Sequence, residues 1–194
     1  DLRTPIDAIL GWLQLLQTDD TRTSAPLKRA LNAIERCCHS QLKVIEQLMD
    51  ITRLVAHEGS MHPVVFNFAE LVDHCVEGQV AAAQAKGIVL TNSVAKRGLL
   101  SLVRGDRTQL ERVVLNVLTN AIQFTPEGGF VNVTVGQEDD HVVLRVADTG
   151  RGIDSDLLPY VFDKYRRGGH QDNSANLGGL GLGLYVVREL VEAH

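Results

Sequence analysis

The sequence predicts an α+β chain in two units: an N-terminal helical hairpin, then a domain that packs helices on a sheet. Three observations carry this. Two apolar stripes with helical spacing fill the first fifty residues, and the pattern stops between His57 and Pro63. Beyond that break, two runs of alternating apolar residues face each other across a short polar turn. With 194 residues, 44% of them hydrophobic, the chain has enough material for a small element plus one domain with its own core.

In the first stripe Ile6, Ile9, Leu10, Leu13 and Leu16 recur at steps of three and four, which places them on one helix face. The polar stretch from Thr18 to Pro26 breaks the pattern. A second stripe follows through Leu27, Leu31, Ile34, Cys38, Leu42, Ile45 and Leu48. A lone hairpin cannot bury both faces of such stripes, so pairing of two copies into a four-helix bundle is the expected completion. Gly59, Ser60 and Pro63 mark a linker, giving a hairpin over 1–56, a linker over 57–63 and a second domain over 64–194. That domain is expected to hold a helix near Ala69 to Ala85, a strand at Ile88 to Leu90 and a helix from about Arg107 to Phe124. Asp106, with Gln109 three residues on, fits a helix start. Val131, Val133 and Val135 then alternate with polar positions, as do Val142, Leu144 and Val146 beyond the turn from Gly136 to Asp140. A glycine-rich stretch leads into a last helix at Leu184 to Val191.

Nineteen basic against twenty-four acidic residues give a net charge of −5, no broad footprint for nucleic acid. No apolar run approaches the roughly 20 residues that span a bilayer, and no signal peptide opens the chain; membrane contact by these residues is not expected and a cytoplasmic location is, with a membrane-anchored parent protein left open. Cys37, Cys38 and Cys75 make an odd count without zinc-site spacing and read as reduced thiols. His74, His141 and His170 likewise lack metal-ligand spacing.

Three segments carry candidate chemistry. Asn116, Asn120 and Gln123 form one polar line on an otherwise apolar helix. Amide oxygens suit Mg²⁺, which also binds substrate phosphates; a solvent-facing stripe would explain the line equally well. Asp148 ends a strand directly before Gly150 and Gly152, where backbone can approach a ligand closely. A buried carboxylate there would accept from an exocyclic amine such as that of adenine, although a plain turn gives the same pattern. Gly178, Gly179, Leu180, Gly181, Leu182, Gly183 and Leu184 run into a helix, and spaced glycines at a helix start free N–H groups for phosphate oxygens. The segment is no P-loop, and as a lone feature it reads as a hinge. The order of the three favours a nucleotide.

These residues resemble histidine kinases. Leu115 to Pro126 looks like their N box, Asp148 to Gly152 like the G1 box, Val161 to Arg167 like the F box and Gly179 to Leu184 like the G2 box. Asp1-Leu2-Arg3-Thr4-Pro5 is similar to the segment that directly follows the phosphoacceptor histidine. The resemblance spans nearly the whole chain. It implies a GHKL-type α/β sandwich for the second domain, ATP with Mg²⁺ as ligands, a homodimer through the hairpin, and a response-regulator receiver domain as partner. Asn116 and Asn120 would hold Mg²⁺ and the ATP phosphates, with Gln123 beside them. Asp148 would contact the adenine amine, and Gly150 and Gly152 would shape the base pocket. Gly179, Gly181 and Gly183, with Leu180, Leu182 and Leu184 between and after them, would let the ATP lid close, and Arg167 would reach the γ-phosphate. Asp1 would be the acid/base neighbour of the acceptor, and Thr4 would orient water when the regulator is dephosphorylated.

Three departures qualify the resemblance. The acceptor would sit immediately before Asp1, so the sequence reads as starting one residue late and unable by itself to phosphorylate a histidine there. Gln123 stands where a lysine is usual, and the chain stops at Ala193-His194, where the family continues into further strands. His39 lies on the second helix of the hairpin, whereas the resemblance puts the acceptor on the first; it reads as an exposed helical histidine. The rival readings are a non-catalytic ATP-binding dimerisation module and a GHKL ATPase of another kind; the Asp1 to Pro5 segment and the hairpin argue against the second.

Overall fold

The computed structural model describes residues 61–93, 101–166 and 181–194, together with Ile6, Asp7, Ile9, Leu10, Leu13, Leu27, residues 31–35, 37–39, Gln41, Leu42, Val44, Ile45 and Met49. Every described residue from Ile6 to Met49 is helical, as the two stripes require. Leu13, Leu31 and Cys38 are buried, while Ile9, Leu27, Ile34 and Met49 stand exposed.

The second domain runs β1 (Val64–Asn67), α1 (Phe68–Ala85), β2 (Val89–Asn92), β3 (Leu102–Gly105), α2 (Arg107–Phe124), β4 (Phe130–Glu138), β5 (His141–Asp148), a 3₁₀ turn (Leu158–Tyr160) and α3 (Gly183–Ala193). Strands β2, β4 and β5 form one sheet in that order; β2 lies parallel to β4, and β4 antiparallel to β5. The register pairs Val133 with Val146 and Val135 with Leu144, so the two apolar alternations share one face. Helices α1 and α2 cover that face. Leu71, Val72, Cys75 and Val76 of α1 meet Val114 and Leu118 of α2 over Val133 and Val135, and a second cluster joins Ala83, Ile88, Ala121, Ile122 and Val131. Burial pushes the Cys75 thiol up to about 11, with the Glu111 charge adding and Arg107 partly offsetting, so it is an apolar filler and no nucleophile. All three cysteines are free.

Local chemistry sets each boundary. Asn67 caps α1 by accepting from the Ala69 N–H at 3.0 Å. The helix ends in a left-handed Gly87 (φ 68°), with the Ile88 N–H on the Ala83 carbonyl and the Gly87 N–H on that of Gln84, the pairing that closes a helix with glycine. Asp106 caps α2, its Oδ1 accepting from the N–H groups of Thr108 and Gln109. At the other end Thr125, fully buried, donates its hydroxyl to the Ala121 carbonyl at 2.7 Å, and Pro126 follows.

The helix at 107–124 and the strand pair lie where the sequence put them. The strand expected at Ile88 to Leu90 sits slightly later, because Ile88 is consumed in closing α1. The expected turn from Gly136 narrows to Asp139 and Asp140, with Gly136 paired to Val143 inside the ladder. Strands β1 and β3, a two-stranded antiparallel sheet, were not foreseen. Both have four residues, and neither Val-Val-Phe-Asn nor Leu-Val-Arg-Gly alternates apolar with polar residues, so period carries no signal for them.

Candidate functional site

Helix α2 organises the site because it presents three faces. Val114, Leu118 and Ile122 point into the sheet core. Val113 and Val117 receive Tyr185, Val186, Val187 and Leu190 of α3. Next to that seam, Asn116 and Asn120 stand half-buried at the start of α3. A methyl added to Gly183 would lie 3.5 Å from Asn116 Oδ1 and 3.9 Å from Asn120 Nδ2. The two amides and the first turn of α3, 63 residues apart in sequence from Asn120 to Gly183, are therefore in van der Waals reach, which disposes of a merely solvent-facing stripe. Leu182, at the N-cap of α3, makes no side-chain cap bond, so the first N–H groups of that helix keep their capacity to meet an anion.

One turn further along α2 lies the second group. The Gly150 turn sits on the end of the helix: a methyl there would come within 2.8 Å of the Phe124 carbonyl and 2.6 Å of Asp148 Oδ1. Only glycine fits. Asp148 Oδ1 accepts from the Gly150 N–H at 2.8 Å. Thr149 extends the pairing of β5, its N–H on the Phe130 carbonyl and its hydroxyl accepting from the Phe130 N–H. Gly152 adopts φ 72°. One expectation is corrected: Asp148 is exposed, because β5 ends there and the turn carries the carboxylate out of the core. Any burial it gains must come from a ligand.

Gly181 (φ 70°) joins the glycine-rich segment to the F-box residues, since a methyl on it would lie 2.6 Å from the Arg166 carbonyl. Leu182 is fully buried and Leu184 half-buried, so they anchor this stretch. Gln123 is half-buried, and its carbonyl accepts from Lys86 Nζ at 2.6 Å; that of Ile122 does so at 2.8 Å. An ammonium thus caps the negative end of α2. Asp1, Thr4, Arg167, Gly179 and Leu180 lie outside the described residues.

Several residues beside these motifs escaped sequence reasoning. Lys164 stacks on the Tyr185 ring at 4.6 Å and Arg188 at 5.7 Å, with Arg188 also 3.6 Å from Asp163; together they hold the F-box segment to α3. Arg151 lies 4.9 Å from the Phe124 ring centroid. The spacing of Tyr185 and Arg188 on one helix face was the available signal for the first cluster. Nothing in the sequence indicated the second.

Among the described residues no group of three His, Cys, Asp or Glu could hold a metal unaided. The donors present are two neutral amides beside a helix N-terminus. They fit a hard cation that arrives with phosphate oxygens of its own, which is how Mg²⁺ is ordinarily bound.

Residues 105–194 match the family model of the histidine kinase-, DNA gyrase B- and HSP90-like ATPases, and residues 1–57 match that of the His kinase A (phospho-acceptor) domain. The chain is 33% identical to the sensor histidine kinase GacS of Pseudomonas protegens, over 99% of its own length and 21% of that protein's. It is 30% identical to the histidine protein kinase DivJ of Caulobacter vibrioides, covering 100% of this chain and 32% of that one. Among solved structures it superposes on full-length ShkA in complex with AMPPNP with a TM-score of 0.75 at 27% identity, over 99% of this chain and 39% of that one. It spans well under half the length of these curated relatives. No helix among the described residues is long and apolar enough to cross a membrane. With both family models matched in order and the nucleotide motifs gathered around one helix, the chain belongs to the sensor histidine kinase family.

Proposed function

We propose that this chain is the catalytic core of a protein that moves the γ-phosphoryl group of ATP to a histidine immediately before Asp1, and from there to an aspartate of a response-regulator receiver domain. The observation that carries the reading is the meeting of Asn116 and Asn120 with Gly183. Asn116 and Phe124 are eight residues apart on α2, about 12 Å along its axis. A nucleotide laid along that edge would reach the Asp148–Gly150 turn with its base and the start of α3 with its phosphates. The AMPPNP bound by ShkA supports the same class of ligand.

In the transfer, the bond from the γ-phosphorus to the bridging oxygen breaks, ADP leaves, and a bond to an imidazole nitrogen forms. The imidazole proton passes to the Asp1 carboxylate. Asn116 and Asn120 would hold Mg²⁺, whose charge offsets that of the phosphates when bound. Protein groups otherwise act by alignment and electrostatics; Arg167 is assigned to the γ-phosphate, and Thr4 to orienting the water that hydrolyses the regulator's aspartyl phosphate to inorganic phosphate. The proposed division is a dimerising hairpin over 1–56, a linker over 57–63 and an ATP-binding domain over 64–194. The 194 residues hold no histidine in the acceptor context, so alone they are expected to bind ATP without labelling one.

The test is calorimetric titration with AMPPNP and magnesium. Asp148→Ala should weaken binding about ten- to a hundredfold, the worth of a charge-assisted bond buried by the ligand. Equal affinity in wild type and variant would remove Asp148 from the base contact, and no binding by the wild type would remove the nucleotide reading itself.

A further inference from the structure

The far end of the α2–α3 seam holds a polar contact that the nucleotide motifs do not use. Asp106 donates its backbone N–H to Nε2 of His194 at 3.0 Å, and Nδ1 of the same ring lies 2.6 Å from the Leu190 carbonyl. A backbone N–H can only donate and a carbonyl can only accept. The ring is therefore neutral with its proton on Nδ1, giving to Leu190 and receiving from Asp106. Its seat is built for it: a methyl on Gly105 would fall 2.6 Å from His194 Cδ2 and 3.2 Å from Nε2. Gly105 has no positive φ, so glycine is required there for space alone. The remaining groups of Asp106 are also committed, Oδ1 to Thr108 and Gln109, Oδ2 to the His62 N–H at 3.1 Å, and its carbonyl to Leu110.

This contact joins the cap of α2 to the cap of α3. Between it and the amide pair the helices pack through apolar side chains, Val113 and Val117 against Tyr185, Val186, Val187 and Leu190. Apolar packing resists separation but is weakly directional, so the directional bond at its end adds a restraint on sliding of α3 along α2 that the packing does not supply. Gly183 rides on the same helix and moves with it.

We propose that His194, seated on Gly105 as the Nδ1–H tautomer, is a positioning residue that fixes α3 along α2 and thereby holds the first turn of α3 at the distance from Asn116 and Asn120 that nucleotide phosphates require. This rests on the nucleotide reading above. The base seat at Asp148 and Gly150 belongs to β5 and the end of α2, outside α3, so the pin acts on the phosphates and leaves the base untouched.

The test uses the whole chain with two probes, AMPPNP with magnesium and adenosine. His194→Ala should weaken AMPPNP about three- to tenfold, the worth of one hydrogen bond, and leave adenosine affinity within twofold. His194→Gln, whose Oε1 can accept from the Asp106 N–H, should recover part of the loss. Gly105→Ala should produce the same split, and in the His194→Ala background it should add little, because the ring it displaces is gone. Nitrogen NMR of the ring should show the Nδ1–H tautomer. An equal loss for both probes, no loss for either, additive Gly105 and His194 effects, or an Nε2–H ring would each overturn the proposal while the nucleotide reading stands. A wild-type chain that binds neither probe would instead overturn that reading, and the phosphate-positioning role with it.

Discussion

At the scale of single residues, Asp106 shows how one carboxylate serves several segments and what pH does to it. Burial pushes its carboxyl up, but the N–H groups of His62, Gln109 and Thr108 outweigh this and leave it below the ordinary value. The unfolded chain binds that proton near pH 4. A folded value below the unfolded one means the carboxylate stabilises the fold above about pH 4, and the contribution drains away as pH falls through the lower folded value. Asp106→Ala is expected to cost about 0.5–2 kcal/mol at pH 7 through loss of the helix cap. It should also flatten the acid limb of stability against pH in urea unfolding; an unchanged limb would mean other carboxylates set it. Asp106 was legible in sequence as a cap because capping is local. Its bonds to His62 and His194 were not, since they span 44 and 88 positions. Asp148 was legible as a turn-end acid, but its burial state was misjudged: strand alternation reports which face a residue is on, and stops reporting where the strand ends.

At the scale of elements, the sequence spoke where a period ran long and fell silent where it did not. Helix α2 has eighteen residues with a cap at one end and a proline after the other, and it lies where the sequence put it, from about Arg107 to Phe124. Strands β1 and β3 have four residues each, too few for alternation to repeat. What no local pattern could show is that Gly181 abuts Arg166, because this is a contact between two backbones. Gly181→Ala would both force a side chain into φ 70° and drive it to 2.6 Å from the Arg166 carbonyl, a steric demand on the F-box segment. The variant is expected to lose about 1–3 kcal/mol of stability and to bind AMPPNP more weakly than adenosine relative to wild type. Unfolding curves that superpose on those of wild type would show that the Arg166 segment yields freely.

At the scale of the whole molecule, the proposed function makes the second domain the donor side and the hairpin the acceptor side of one reaction, and two expectations follow. Ile34 is 45% exposed although it belongs to the apolar stripe, and Ile9, Leu27 and Met49 are exposed with it. Such a surface on a helix calls for a partner, and a second copy of the hairpin would supply one. Ile34→Asp should therefore yield monomers in sedimentation where the wild type is a dimer at tens of micromolar, an order-of-magnitude concentration for a moderate interface; a monomeric wild type would count against the bundle. The second expectation concerns the reaction itself. If alignment is most of what phosphoryl transfer asks of the protein, supplying the acceptor should suffice: a chain extended through a histidine before Asp1 and beyond His194 should take up acid-labile, base-stable label from radiolabelled ATP. Asn116→Ala should abolish the uptake, since it removes one of the two amides held against Gly183. Gln123 should make the transfer slow, because a neutral amide stabilises developing phosphate charge less than an ammonium does. The ammonium that the fold does provide there, Lys86, is committed to the carbonyls of Ile122 and Gln123. Gln123→Lys should accordingly raise the rate without changing which residue is labelled. An extended protein that binds ATP, never labels its histidine, and is not rescued by Gln123→Lys would be a nucleotide-binding dimer module, with the motifs around α2 kept for binding alone.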